Sequence, residues 1–554
     1  MNLKTRKWIL PLVGMLFGIL TFCVTYGVRI LDTSYDAWLL SGGDGTQHYL
    51  GWKYFRQTPW TFPIGMLDGV NSDGALSCIY MDSIPLFAVF FKLFSPILPE
   101  TFQYFGIWGL FSFGMMGLFS TMILQKYSKN VLFCLSGALC FILSPSLIRR
   151  LFGHESLAGQ WVIVMAIAVW VYQNRKWKHW FTPSLLWAVV AVMAVSVHMY
   201  FVPMVFLVMM GALLDALIRT KSWKYVLFTG ILSIAATLLW MFILGAFIGE
   251  GDYSTGGFGL YSSNLLSLFY RGNEGRISFI DFEVLNGQTF EGFAYLGFGI
   301  ISGGFFTAVH LIASLPSRGK GALRKWTRAH NSLLIGAGVT FVVTYVWALS
   351  HIVAFGPHIL YTIPLPDKIL SALAIFRASG RLMWVNVYLI YTLVFYGMSK
   401  LNAKKILPPL FAVFFCAIQI HDGHRILRGR YQSYTKEHTY SSPLKDPRWE
   451  DAMEGVNEIV FLPLPSDYLT YFDIYFPLGV YASEHDLTLS SFYVARANYD
   501  SLAAYAQSAY DALCNGNGET DVLYVFFNEE EIPESSENLT IYNLDGLYTA
   551  RFHK

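Results

Sequence analysis

Apolar runs separated by short polar loops fill the first three quarters of the chain. A bilayer core takes about 20 apolar residues as a helix. Eleven runs come close to that length: 8–29, 102–124, 131–148, 156–172, 182–200, 203–218, 225–249, 293–315, 331–355, 382–399 and 406–420. The run 83–98 is shorter and is interrupted by Lys92 and Pro96, which predicts an interfacial or re-entrant segment. Between the first two spans, Tyr49, Leu50, Trp52 and Phe55 share one side of a helix that starts near Gly45 and stops before Pro59. That helix is too short to span, and its aromatic residues mixed with Lys53 and Arg56 suit the headgroup region. From about His421 no further span occurs. There, 458–462 and 521–527 read as buried strands, and 499–513 has helical spacing that ends at Gly516. The pattern predicts an all-α polytopic membrane domain of about 11 transmembrane helices at 1–420, followed by a soluble α/β domain at 421–554.

Charge orients this arrangement. Lys4, Arg6 and Lys7 precede the first span, and alternate loops carry Lys126 and Lys129; Arg175, Lys176 and Lys178; Arg219, Lys221 and Lys224; Arg318, Lys320, Arg324, Lys325 and Arg328; and Lys400, Lys404 and Lys405. Excess Lys and Arg in short loops marks the cytoplasmic side. The N-terminus is therefore expected inside, with a first outer loop at 31–101, a long outer loop at 250–292 and the C-terminal domain extracytoplasmic. The 39 basic and 37 acidic residues nearly cancel, yet the stretch after Pro443 alone holds 19 acidic against 5 basic residues, as a solvated domain would. Charged residues make up 14% of the chain, against roughly 25% in soluble domains, which excludes a soluble globular enzyme. No basic patch of the nucleic-acid-binding kind occurs. Six scattered cysteines without CxxC or Cys/His spacing argue against a structural zinc site.

Four segments on the expected outer face could carry chemistry. The first holds Asp44 and His48, where Asp44-Gly45-Thr46-Gln47 also fits a capping box. In the second, Arg149 and Arg150 sit at the outer end of a span, against the positive-inside tendency, and are followed by His154 and Glu155. Snorkelling arginines and a capped helix are the bland account of that group. Position 158 is Ala158, so no HExxH zinc motif forms. The third is the long outer loop, with Glu250, Asp252, Tyr253, Arg271, Glu274, Arg276, Asp281 and Glu283; loops of that length are often functional. The fourth holds Arg377 and Arg381, which share a helix face at i and i+4 if the segment is helical. Two guanidinium forks near a helix start suit a phosphate at headgroup depth, and a pair of interfacial anchors is the alternative.

Gly43-Asp44, Gln47-His48-Tyr49-Leu50-Gly51-Trp52, Phe55-Arg56, Pro59-Trp60-Thr61-Phe62-Pro63, Asp82-Ser83-Ile84-Pro85, Gly153-His154-Glu155-Ser156-Leu157 and Phe376-Arg377-Ala378-Ser379-Gly380-Arg381 together resemble a family of bacterial multi-pass membrane proteins of unassigned function. That family in turn looks like a member of the GT-C glycosyltransferase superfamily. The resemblance implies a GT-C-like fold in the bacterial cytoplasmic membrane and transfer of a sugar from a polyprenyl-phosphate carrier to an acceptor on the outer face. It implies Asp44 as general base, with Arg377 and Arg381, joined by Arg149 or Arg150, on the leaving phosphate. His48, His154 and Glu155 are implied as further substrate-binding groups. The implied partners are a lipid-linked sugar donor, a glycan, lipid or protein acceptor, and membrane lipids, without nucleic acid. Many GT-C members carry two acids where this chain has Asp44-Gly45-Thr46, which leaves a divalent cation open. A flippase for lipid-linked glycans and a non-catalytic surface-polymer assembly protein are the competing readings. Spans almost free of ionisable residues at mid-depth count against a transporter.

Overall fold

The computed structural model describes residues 6–72, 74, 76–173, 180–248, 257–277, 282–314, 321–401, 406–464, 471–533 and 538–553. Lys4, Arg175, Lys176, Lys178, Arg318, Lys320, Lys404 and Lys405, and Glu250, Asp252, Tyr253 and Asp281 of the long loop, lie outside them.

The chain is a mostly helical membrane protein. Seven helices among the described residues are long and apolar enough to cross a bilayer: Trp8–Tyr26, Phe105–Leu124, Val131–Arg150, Glu155–Tyr172, Phe201–Thr220, Trp223–Ile243 and Arg324–Leu349. An eighth is added if Asp367–Ala374 and Ser379–Met398, bent by 64°, count as one span. The expected eleven is not reached on length and apolar character, for identifiable reasons. Phe181–Val197 and Phe298–Ala313 are apolar but shorter, and the 29-residue helix Leu407–Thr435 turns polar after Ile420. The run 331–355 contributes the span Arg324–Leu349 but ends earlier than the pattern predicts. Its helix stops at Leu349 before Ser350 at φ 61, and Ile352–Phe355 pairs with His358–Thr362 as a hairpin.

Contacts divide the chain into two compact units. The first comprises Met1–Asp32, Tyr104–Leu239 and Ser254–Lys436. It is a helical bundle in which glycines let two helices approach closely. A Cβ on Gly18 would lie 2.1 Å from the Phe113 carbonyl oxygen, and one on Gly14 would lie 2.6 Å from that of Gly117. Only side-chain-free positions let helices Arg6–Tyr26 and Phe105–Leu124 touch backbone to backbone. The described part of the long loop is packed, not open. Asn264 Nδ2 donates to Gln288 Oε1 and to the Gly356 carbonyl, and Gln288 Nε2 donates to Ser262 Oγ.

The second unit comprises Thr33–Gln103, Trp240–Tyr253 and Glu437–Lys554. Its five-stranded sheet runs in the order Thr488–Leu489, Glu458–Leu462, Val522–Phe526, Leu547–Phe552, Leu539–Leu544. The first three strands are parallel and the last two are joined antiparallel. Val460, Leu462, Tyr524 and Phe526 pack against Ala506 and Leu513 of helix Tyr499–Cys514. The helix Asp44–Gln57 belongs to this unit. Trp52 and Phe55 are fully buried, and Trp52 Nε1 donates to the Phe102 carbonyl. Protein therefore covers the aromatic face that the sequence pattern assigned to headgroups. The run 83–98 becomes the helix Pro85–Lys92 and the short turn Ser95–Ile97; eight residues rise only about 12 Å, too little to span. Arg56 anchors that turn by donating to the Ser95, Leu98, Pro99 and Glu100 carbonyls.

Candidate functional site

In the first unit, two of the predicted arginines converge on Glu291, which no local sequence pattern marks. Arg150 Nη1 and Nη2 donate to Glu291 Oε1 and Oε2 at 3.2 and 2.9 Å, and Arg381 Nη2 and Nε donate to the same two oxygens at 2.9 and 2.6 Å. A carboxylate offers about four acceptor positions, and two forks fill them. Arg150 also donates to the Phe290 carbonyl at 2.7 Å. Arg150 lies over the ring of Phe290 and Arg381 over that of Tyr200, 4.0 and 4.5 Å from the centroids. The arginine side chains are 1% and 8% exposed and that of Glu291 14%, so the cluster is a buried assembly with one excess positive charge. Burial works to raise the Glu291 carboxyl. The charges of Arg150 and Arg381, with their hydrogen bonds, outweigh it and hold the group below the usual carboxylate range.

Backbone packing sets this geometry. Helix Asp367–Ala374 ends before the bend, Ala378 takes φ −85° and ψ 60°, and a short turn spans Ser379–Leu382. Arg377 and Arg381 therefore do not share a helix face, which corrects the i, i+4 expectation: Arg377 is exposed, 5.9 Å over the Tyr261 ring, while Arg381 turns inward. Gly380 allows the turn to press on the neighbouring loop. A Cβ there would lie 2.7 Å from Gly292 Cα and 2.9 Å from the Glu291 carbonyl oxygen. The Tyr200 hydroxyl accepts from Ala378 N at 2.8 Å and fastens the bend from the other side.

The second predicted segment runs on either side of Arg150. Arg149 pairs with Glu274 at 3.3 Å, and its carbonyl accepts from Arg430. His154 is buried, its ring 5.8 Å from that of His198, and it stands at the N-cap of the turn Glu155–Gln160 without a side-chain capping bond. Glu155 is 2% exposed, and its carbonyl accepts from Trp108 Nε1.

Asp44 and His48 lie in the second unit. Gly43, at φ 78°, takes the N-cap position and makes no side-chain cap, so Asp44 is the first helical residue and not the capping residue. An acid there still favours the positive end of the helix dipole. His48 is fully buried, and its carbonyl accepts from Ser83 Oγ. Asp82 brings a ligand atom within 4.8 Å of one on His48. One imidazole and one carboxylate suit a borderline transition metal better than a hard cation, and a catalytic zinc takes three protein ligands. In the sequence Asp82 stands out only within the Asp82-Ser83-Ile84-Pro85 motif, and nothing local marks its place beside His48.

The model of a family described as Domain of unknown function (DUF6311) matches residues 15–424, and that of the DUF6311 C-terminal domain matches residues 448–551. No curated protein matches the chain. Among solved structures, the chain is similar to the archaeal oligosaccharyltransferase AglB from Archaeoglobus fulgidus, in complex with an inhibitory peptide and a dolichol-phosphate. The likeness is at 11% identity and a TM-score of 0.42, over 95% of this chain and 70% of that one.

Proposed function

The chain belongs to the DUF6311 family, which brings no assigned activity with it, and we propose from its own residues that it is a membrane glycosyltransferase. It takes a sugar from a polyprenyl-phosphate carrier and passes it to a glycan, lipid or protein acceptor on the outer face of the bacterial cytoplasmic membrane. The observation that carries this reading is the buried Arg150–Glu291–Arg381 assembly with its excess positive charge. Ionisable groups buried among membrane helices mark functional sites by default. A departing lipid phosphate gains charge as the sugar leaves, and a fixed guanidinium in a low-dielectric setting stabilises that charge strongly. Glu291 then acts as a positioning residue that holds both forks, and Arg149 and Arg377 add to the positive field. Asp44 takes the proton of the acceptor hydroxyl as its oxygen attacks the anomeric carbon, with inversion. His48 binds a sugar hydroxyl or tunes that base, and His154 and Glu155 bind sugar hydroxyls. Should a divalent cation take part, His48 and Asp82 would be ligands and the ion would supply electrostatic stabilisation.

Glycan profiling of the host strain tests this. Asp44→Asn should reproduce the profile of a deletion strain while the protein inserts at its normal level. A well-inserted Asp44→Asn with the wild-type profile removes the base assignment, and a deletion that changes no glycan removes the reading altogether.

A further inference from the structure

About 20 Å along the helices of the first unit from the charge cluster, by the rise per residue, the bundle opens around a cavity of about 570 Å³. Chain direction places the two at opposite ends. Helix Phe201–Thr220 starts beside Tyr200 and reaches the cavity at Asp215 and Arg219, and helix Met383–Met398 leaves Arg381 and reaches it at Tyr396. The volume is in the range of sites that hold drug-sized ligands.

Its wall and its rim differ in chemistry. Ile167, Leu333, Phe341 and Leu389 make the wall apolar, and exposed Leu333 and Leu393 leave it continuous with the lipid-facing surface. The rim holds Lys126, Gln173, Asp215 and Arg219. Asp215 already accepts three hydrogen bonds, from Trp170 Nε1 and from Arg219 Nε and Nη2. Two other rim atoms accept or donate none. Arg219 Nη1 and Gln173 Oε1 are buried with no hydrogen-bond partner among the described residues, and Gln173 is only 8% exposed. A buried donor and a buried acceptor in this state can be satisfied by a polar group beyond the described residues. Two cations against one carboxylate select an anion.

We propose that this cavity binds one lipid bearing a phosphate, its head at Arg219, Lys126 and Gln173 and its chain along the apolar wall. The site is separate from the charge cluster and stands whether or not the glycosyl-transfer reading does. Two sources share this chemistry: a membrane glycerophospholipid and a polyprenyl phosphate.

Native mass spectrometry of the delipidated full-length protein in detergent distinguishes them, with phosphatidylglycerol, a polyprenyl phosphate and uncharged diacylglycerol as separate probes. One phosphate lipid should be retained about tenfold or more over diacylglycerol, as charge-assisted hydrogen bonds require. Whichever of the two phosphate lipids is held more strongly identifies the source, and either supports the proposal. Gly338 lines the cavity, and a Cβ there meets nothing within 4 Å. Gly338→Trp should therefore fill the space without disturbing the fold and reduce retention by about tenfold or more, the scale of a lost site. Lys126→Gln should narrow the preference for phosphate over diacylglycerol. Equal retention of diacylglycerol, or unchanged retention in a folded Gly338→Trp, overturns the proposal.

Discussion

Two guanidinium–carboxylate contacts in this protein have the same length and different physics. Arg381 Nε meets Glu291 Oε2 at 2.6 Å among buried helices, and Arg448 Nη2 meets Asp446 Oδ2 at 2.6 Å on the surface of the second unit, with the Arg448 side chain 54% exposed. In water, an ion pair gains little because solvent already serves both charges. Out of water, the pair must answer for the whole desolvation of its members, so each partner becomes indispensable to the other. Distance alone does not separate the two contacts; what each charge would face if its partner were removed does.

The largest expected effect follows from removing the shared partner. Glu291→Leu leaves two guanidinium groups buried without their carboxylate, and the loss on breaking a buried pair is about 3–5 kcal/mol. Thermal unfolding in detergent should show a large drop or a failure to fold. A midpoint like that of the wild type would mean that water reaches both arginines, and the comparison would collapse. The pH response has a defined sign. Glu291 is held below the usual carboxylate value, about 4.3 for an unfolded chain. Its contribution is complete above that pH and is lost only as pH falls through the lower folded value, so the cluster should persist down to about pH 4.

Arg381→Lys keeps the charge and removes the fork. A lysine places one ammonium where two parallel N–H bonds now reach Glu291, and one hydrogen bond to a charged group is worth about 1.5–3 kcal/mol. The midpoint should fall between that of the wild type and Glu291→Leu. Under the proposed function, glycan transfer should fall further than stability, since planar recognition of a phosphate is lost as well. A lysine variant equal to the wild type in both respects would show that only the charge counts.

How much of this was readable in the sequence depends on the range of the interaction. Apolar runs of bilayer length, the strand Glu458–Leu462 and the helix Tyr499–Cys514 are local patterns, and the structure has these elements close to where the pattern put them. Arg150, Arg381 and His154 were picked out because charge among apolar residues is conspicuous. Glu291 was not, because its partners lie 141 and 90 residues away and its neighbours only announce the start of a span. The bend at Ala378 escaped for a related reason: it depends on Gly380 meeting Gly292 and on Tyr200, contacts that a heptad-scale reading cannot contain. The capping-box pattern puts the cap at Asp44, one residue late, since Gly43 takes a positive φ that composition permits but does not announce.

The smallest expected effect sharpens the comparison most, because it asks whether a short contact can be energetically silent. Asp446 accepts from Arg448 Nε, Nη2 and backbone N, and those hydrogen bonds pull its carboxyl down to about 2. By sign, that stabilisation is present above the unfolded carboxylate value and disappears as pH falls through about 2. The Arg448 side chain faces solvent, however, while that of Asp446 is 18% exposed, and screening and side-chain entropy on the arginine consume most of the gain. The local turn also has a second support, because Asp545 accepts from Lys445 N, Asp446 N and Trp449 Nε1 independently of Arg448. Arg448→Ala should therefore move the unfolding midpoint by no more than about 1 °C at neutral pH, and by less at pH 3, where part of the Asp446 contribution is already lost. A shift comparable to that of Arg381→Lys would mean that the surface pair is shielded from water, and that contact length had been the better guide after all.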